Sequence, residues 1–570
     1  METSAFTTRL GGLASFILTA FIVFGCPDST HPPPSFNKDA DVVQRDAEVL
    51  IDAGGVVDND TGVVVPPDAQ TFPDAETNPD SGTTATVSWA NENSPLGINL
   101  ESVQEWVGHW PFVDAFKTAR NWIPQQISPE VWDCTGEPCN CGNNIDLTPE
   151  GWVASLAPNQ AVGTLLFREH DGHFPRGEYV VLYDGEGDLS FHWEAKVTSS
   201  QPGRMTLNVS PGPAGIYAQI TATNPQNPIR NIRVIMPGFE STYETQPFHP
   251  LFLETLSKFK IIRFQHWHMV NEQFGDDAVS EWSDLPDPNS FQSTWRGVHP
   301  IWMIKLANTL HADPWFQMPH KVNDDFVRQF ATLVKNELDP ELTSYIEYSN
   351  EIWNGVFPQS QYINEKGLEN GLGTEDWMAG WRYYSIRSVE IFNIWKDVLG
   401  TEKLVRVIAG QSASPFQGFA VMEWNNAYMS ADAYASAPYI MGVGGSTVSE
   451  VLDNLEADIA QVMQNERENA DNARMFGLKH ITYEGGQHLV GSDEQQRQLF
   501  LEANRHPRMK TIYLDYLNQW FAIGDGPFVY YSYIYIPNSW GSWGALEYQD
   551  QRREDAPKYD ALMTFIENYP

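Results

Sequence analysis

The side chains of this sequence best suited to chemistry are a pair of glutamates. Glu351 follows Asn350 directly behind the β-rich run 344–348, and Glu484 follows the run 480–483. Arg263, His320, Tyr439 and Trp540 each stand at or just past the end of another short apolar run. Two carboxyls flanked by a cation, an imidazole, an amide and a phenol suit cleavage of a glycosidic bond. One acid protonates the leaving oxygen while the other carboxylate attacks the anomeric carbon or activates a water. The acid must keep its proton near neutral pH, which needs apolar surroundings and a nearby negative charge. Tyr348 and Trp353 supply the former for Glu351 and Glu484 supplies the latter. No metal and no cofactor is expected, because neither an HExxH motif nor a phosphate-binding glycine loop occurs.

For the two carboxyls to meet, the runs that carry them must lie side by side. Eight strand candidates fall at 96–100, 260–264, 315–318, 344–348, 405–409, 433–440, 480–483 and 528–535. Amphipathic runs at 298–310, 323–337, 377–399, 448–475 and 494–521 alternate with the later ones. Such alternation requires a parallel sheet, and eight units close into a (β/α)8 TIM barrel, an α/β fold whose active site lies at the C-terminal strand ends. The candidate residues all fall at those ends. Between strands one and two the pattern changes to short β-rich runs at 164–167, 179–183, 189–193, 205–209, 217–222 and 232–235, separated by turn signals. That spacing predicts an inserted antiparallel β-sandwich.

The resulting layout is a signal segment at 1–26, an acidic tether at 27–85, the first barrel strand with its loops at 86–160, the sandwich at 161–238 and the rest of the barrel at 239–570. The apolar run 10–25 follows Arg9 and stops at Cys26; it is shorter than the ~20 residues of a membrane span and has the length of a signal-peptide core. Residues 27–85 are rich in Asp, Pro, Gly, Thr and Val, a composition that cannot offset its ordering entropy by burial. The formal net charge of -39 makes the surface repel phosphate backbones, which excludes nucleic acid as a partner. A carbohydrate is the expected partner. The 20 Trp, 22 Tyr and 30 Phe are mostly core mass, with a share free to face the C–H side of a sugar ring. In the sandwich, Tyr179, Tyr183 and Trp193 are either such platforms or core residues. Among Cys134, Cys139 and Cys141 one local bridge and one unpaired thiol are expected, since a fourth zinc ligand at suitable spacing is missing. The number of subunits is left open.

Two resemblances extend this reading. Val23-Phe24-Gly25-Cys26 resembles the lipobox of bacterial lipoproteins, which implies export and lipidation of Cys26, the membrane being touched only through that anchor; cleavage by the ordinary signal peptidase is the alternative. Tyr345-Ile346-Glu347-Tyr348-Ser349-Asn350-Glu351-Ile352-Trp353-Asn354 and Ile481-Thr482-Tyr483-Glu484-Gly485-Gly486 resemble the fourth and seventh strands of the clan A glycoside hydrolases, the superfamily that includes the family 5 cellulases. The likeness implies a retaining mechanism with Glu351 as acid/base and Glu484 as nucleophile. It also implies that Asn350 binds the sugar 2-hydroxyl, that Arg263 and Tyr439 orient the nucleophile, and that Trp540 forms a floor under the reacting sugar. Ala437-Pro438-Tyr439 departs from the His-x-Tyr common on strand six, which marks a divergent member.

Three rival readings are weaker. His266-Trp267-His268 lacks the later His and Asp of a metal-dependent hydrolase, and Gly410-Gln411-Ser412-Ala413-Ser414 lacks the last glycine of a nucleophile elbow. A cell-surface carbohydrate-binding lipoprotein without turnover is the alternative from another class, and the paired carboxyls stand against it.

Overall fold

The computed structural model describes residues 89–569 except 136–138, 274, 276–277 and 443. The signal segment, Cys26 and the tether lie outside the described residues.

Eight parallel strands form one sheet: β1 (Leu96–Asn99), β2 (Ile261–Arg263), β3 (Asp313–Met318), β4 (Ser344–Tyr348), β5 (Leu404–Ala409), β6 (Ala433–Ser436), β7 (Lys479–Thr482) and β8 (Phe528–Tyr530). From β1 to β7 each strand pairs with its neighbour in sequence, and β8 pairs with β1, giving the (β/α)8 barrel. The seam between β7 and β8 is not a ladder. It is closed by Asp525 N–H to His480 O (2.8 Å), Thr482 N–H to Pro527 O (3.3 Å), and Val529 N–H to the Thr482 hydroxyl (2.8 Å).

Strand residues alternate between two apolar environments, as the period of two requires. Ile261, Trp315, Val407, Ala433, Ala435, Ile481 and Val529 fill the barrel interior. Ile98, Ile262, Phe316, Ile346, Ile408 and Tyr434 pack outward. Against them lie α1 (Pro250–Leu256), α2 (Pro300–Leu310), α3 (Asp324–Glu337), α4 (Pro358–Glu369), α5 (Asp376–Leu399), α6 (Pro415–Glu423), α7 (Val448–Met475), α8 (Glu494–Arg505), α9 (Arg508–Phe521) and α10 (Pro557–Asn568). In α3 the buried Phe326, Val327, Phe330, Ala331 and Val334 recur at helical spacing, and the Asn323 side chain caps the first turn by accepting from Phe326 N–H.

Several expected elements are cut by proline. The run 494–521 is two helices because Pro507, which lacks an N–H, sits between α8 and α9. The run 433–440 ends as β6 at Ser436, and after Pro438 the pair Tyr439–Ile440 forms a separate short ladder with Gly486–Gln487. The helix expected from residue 298 starts at Pro300, behind a His299 whose ring accepts from Ile301 N–H.

The sandwich lies between β1 and β2 and has its own apolar core. One sheet orders Ile123–Gln126, Gln160–Leu166, Ile216–Thr223 and Gly187–Trp193; the other orders Arg230–Ile235, Gly177–Asp184, Arg204–Val209 and Ala195–Gln201. The strand Ile123–Gln126 lies ahead of the residue-161 boundary read from sequence. Its Ile-Pro-Gln-Gln composition carries little β signal, and its pairing with Gln160–Leu166 is what makes it a strand. Tyr179 and Tyr183 are buried in the core, whereas Trp193 is 46% exposed and stacks on Trp132 at 5.6 Å. Cys134 and Cys139 form the disulfide, and Cys141 is free.

Candidate active site

The inward positions at the C-terminal ends of the strands converge on Arg263, which is fully buried at the end of β2. Its guanidinium donates to Glu347 Oε2 (2.9 and 3.3 Å), Glu484 Oε1 (2.9 Å), Asn350 Oδ1 (2.8 Å) and Asn99 Oδ1 (2.9 Å). Three strands, β1, β2 and β4, and the segments after β4 and β7 are thus tied through one cation. Register explains the convergence: Asn99 pairs with Arg263 across β1 and β2, and Gln317 with Glu347 across β3 and β4, so these side chains share the inner face. Glu347 also accepts from Trp315 Nε1 (2.9 Å) and Gln317 Nε2 (3.3 Å). Burial raises the Glu347 carboxyl and Arg263 opposes that rise.

Glu484, 5% exposed, accepts from Arg263 on Oε1 and from the Tyr439 hydroxyl on Oε2 (2.8 Å). Burial pushes it up to about 8; Arg263 and Tyr439 pull downward, and the charge of Glu351 adds to the rise. One guanidinium shared by two buried carboxyls does not fully offset the burial of either, so both stay raised.

Glu351 lies just past β4 in an unusual backbone. Ser349 and Glu351 both have positive φ, 61° and 41°, a region that disfavours residues with a Cβ. Such strain persists where the surroundings fix it. Here Ser349 N–H is held by Met318 O (2.8 Å), and the Glu351 carboxyl accepts from Tyr483 OH (3.1 Å) and Asn354 Nδ2 (3.0 Å). Tyr483 precedes Glu484 in sequence, so the two carboxyls are linked by adjacent residues at the end of β7.

The structure thus brings together Arg263, Asn350, Glu351, Tyr439 and Glu484. His320 is placed elsewhere. It is buried against Tyr362 (5.0 Å) and lines a cavity of about 570 Å³ with Asn323, Tyr383 and Arg387. Burial holds its imidazole neutral, with a pKa near 4. Trp540 is 52% exposed on the segment after β8, and it is Trp543 that packs on Tyr439 (5.6 Å) and His488 (4.9 Å). Tyr531, one residue past β8, donates to or accepts from His266 (2.8 Å) beside Tyr439.

Sequence reasoning missed Asn99, Tyr483, Asn354, Tyr531 and Trp543. Asn99 and Tyr483 belonged to strands already identified, and inward alternation alone would have marked them. Tyr531 fell within the strand run 528–535, which the structure ends at Tyr530, and Asn354 and Trp543 sit in loops with no periodic signal. The His266 and His268 rings do not gather a metal-ligand set. Among the described residues the one group of three with suitable spacing is Cys134, Cys139 and Cys141, of which two are spent in the disulfide.

No family model matches this chain, and no curated protein matches it. Among solved structures it is similar to a GH51 arabinofuranosidase from Xanthomonas axonopodis pv. citri, with 11% identity over 58% of this chain and 68% of that one and a TM-score of 0.38. It is also similar to a 4-O-α-L-rhamnosyl-β-D-glucuronidase from Fusarium oxysporum 12S (14% identity, 55% and 63% covered, TM-score 0.36). A third is an endo-β-1,4-mannanase of glycoside hydrolase family 26 from Cellulomonas fimi (10% identity, 53% and 63% covered, TM-score 0.32). Likeness at these scores carries no argument about activity, which has to come from the site.

Proposed function

We propose that the chain is an exported glycoside hydrolase that cleaves O-glycosidic bonds of a polysaccharide or oligosaccharide by retaining double displacement. Glu351 is the acid/base and Glu484 the nucleophile. The supporting observation is the different environment of two carboxyls at one barrel end: Glu484 is clamped between a guanidinium and a phenol, and Glu351 between a phenol and an amide.

With Oε1 fixed by Arg263 and Oε2 by Tyr439, Glu484 is presented in one orientation. The two carboxyls feel each other's charge, and the value near 8 at Glu484 means that the pair keeps a proton at neutral pH. The productive arrangement has that proton on Glu351. Glu351 then passes it to the leaving oxygen as a Glu484 oxygen bonds to the anomeric carbon and the glycosidic C–O bond breaks. The ester carries no charge, so Glu351, now a carboxylate, accepts a proton from the water that attacks the same carbon and frees Glu484. Asn350 is assigned to the 2-hydroxyl of the reacting sugar. Lipidation at Cys26, with 27–85 as the tether, anchors the enzyme to a membrane facing the periplasm or the cell exterior; Cys26→Ser should move the protein from the membrane to the soluble fraction.

The test is reducing-end release by the purified protein from β-linked glucans, mannans, xylans and galactans. Glu484→Gln and Glu351→Gln should each lower turnover by about 10²- to 10⁴-fold or more. An aryl glycoside whose leaving group needs no proton should restore the first step to Glu351→Gln and not to Glu484→Gln. A wild-type protein inert on the panel that still binds one of these glycans would replace this reading with that of a non-catalytic carbohydrate-binding lipoprotein.

A further inference from the structure

We propose that Glu101 and Glu272, with His266 between them, form a second carboxyl pair at the same barrel end that selects an uncharged sugar and excludes uronic acids. The inference rests on the reading of this end of the barrel as a sugar site and specifies which sugars it takes.

On β1, Gly97 and Asn99 point inward, and Glu101 continues that alternation one step above Asn99. Glu101 is 6% exposed, comparable to Glu484 itself. His266, just past β2, places Nδ1 3.4 Å from Glu101 Oε1 and 3.9 Å from Glu272 Oε1, and Nε2 2.8 Å from the Tyr531 hydroxyl. The loop that carries Glu272 is fixed on its other side, where Asn271 accepts from Asn350 (3.2 Å) and Gln359 (2.7 Å). The second pair is therefore built into the same framework as the first.

Two features point to a ligand. Each of the two glutamates has a buried oxygen, Oε2, without a hydrogen-bond partner, an arrangement that is costly unless something fills it. Burial keeps the His266 ring neutral with a value near 3, so the imidazole supplies no countercharge to either carboxyl. A carboxylate oxygen left without a partner is an acceptor for a sugar hydroxyl.

The charge balance excludes an anionic sugar. Glu101, Glu272, Glu347, Glu351 and Glu484 gather at this end. Among the described residues the only lysine or arginine that pairs with any of them is Arg263, whose guanidinium is already committed to Glu347, Glu484, Asn350 and Asn99. A uronate would add a further negative charge with no cation to receive it.

The test compares kcat/KM for 4-nitrophenyl β-glycosides of neutral hexoses and pentoses with that for the β-glucuronide. In parallel, saturation-transfer NMR with the matching methyl glycosides reads binding whether or not the bond is cleaved. The wild-type protein should prefer at least one neutral glycoside over the glucuronide by a hundredfold or more. Glu272→Gln, at a partly exposed position, and Glu101→Gln should each narrow that ratio by at least tenfold, a change that a merely structural role would not produce. Glucuronide handled as well as the best neutral glycoside, a ratio unchanged in both variants, or no binding of any glycoside would overturn the proposal. Neutral-only binding without cleavage would uphold it while refuting hydrolysis.

Discussion

Replacing Arg263 with methionine keeps the apolar stem and removes the one charge that links Glu347 to Glu484. The five hydrogen bonds of the guanidinium disappear together, and Glu347, fully buried, is left without a cation. Breaking a buried ion pair from one side costs about 3–5 kcal/mol. Part of that cost is avoidable, because the carboxyl can take up a proton in place of the lost cation. In the unfolded chain it titrates near the ordinary value, so keeping it protonated in the fold costs about 1.4 kcal/mol for each pH unit above that value. The folded pKa is raised, so the penalty grows as pH rises. Urea unfolding of wild-type and variant protein should therefore show a loss of about 3–5 kcal/mol at pH 8 and a distinctly smaller loss at pH 5. A difference below about 1 kcal/mol, or one equal at both pH values, would refute the assignment of Arg263 as the buried counter-ion.

Other outcomes follow from the same geometry. Tyr439→Phe removes the donor on Glu484 Oε2 while keeping the ring against Trp543, so kcat/KM should fall about 10- to 100-fold, the worth of a hydrogen bond to a charged group, with the unfolding midpoint nearly unchanged. Because the reactive pair needs one proton, kcat/KM should decline as pH rises through about 8 in a stopped assay, whereas a profile still climbing at pH 9 would contradict the assigned protonation state. Gly97→Ala would place a methyl 2.8 Å from Ile261 Cβ and 2.9 Å from Val529 Cγ2 inside the barrel; a stability loss of about 1–3 kcal/mol is expected by chemical denaturation.

The barrel was legible because each of its strands is a short apolar run buried on both faces, and because a strand-end polar residue stands out against such a run. Asn350, Glu351 and Glu484 could be picked out for that reason. Arg263 could be placed by the same argument, but its role as the hub of four acceptors depends on register between strands far apart in sequence. His320 occupies a strand-end position too, yet the chain turns after Pro319 and packs the ring against Tyr362 on α4, a contact that strand order does not reveal. Trp540 and Trp543 share one loop and one residue type, and only the loop conformation decides which of them meets Tyr439. Glu101 lay two positions past an inward asparagine and was readable by alternation, but a lone acid in a turn-rich segment gives no hint of Glu272 and His266 gathered around it. The sandwich announced its inner strands through β-branched runs; the exposed strand Ala195–Gln201, polar along nearly its whole length, did not.

The barrel wall is a hoop with one clasp. Around most of its circumference neighbouring strands are stitched by regular ladders, but where the last stave meets the seventh the join depends on three scattered main-chain bonds, the third from Tyr531 N–H to Gly485 O (3.0 Å), and the hydroxyl of Thr482. Fewer stitches mean a lower cost of local opening, so amide protons along this join should exchange with solvent ahead of those elsewhere in the wall. Glu484 stands between the bonds of Thr482 and Gly485, so any breathing of the hoop reaches the proposed nucleophile before it reaches Glu351. Thr482→Val, which keeps the shape and deletes the hydroxyl, would loosen the fastening beside the proposed catalytic pair, where play is least tolerable.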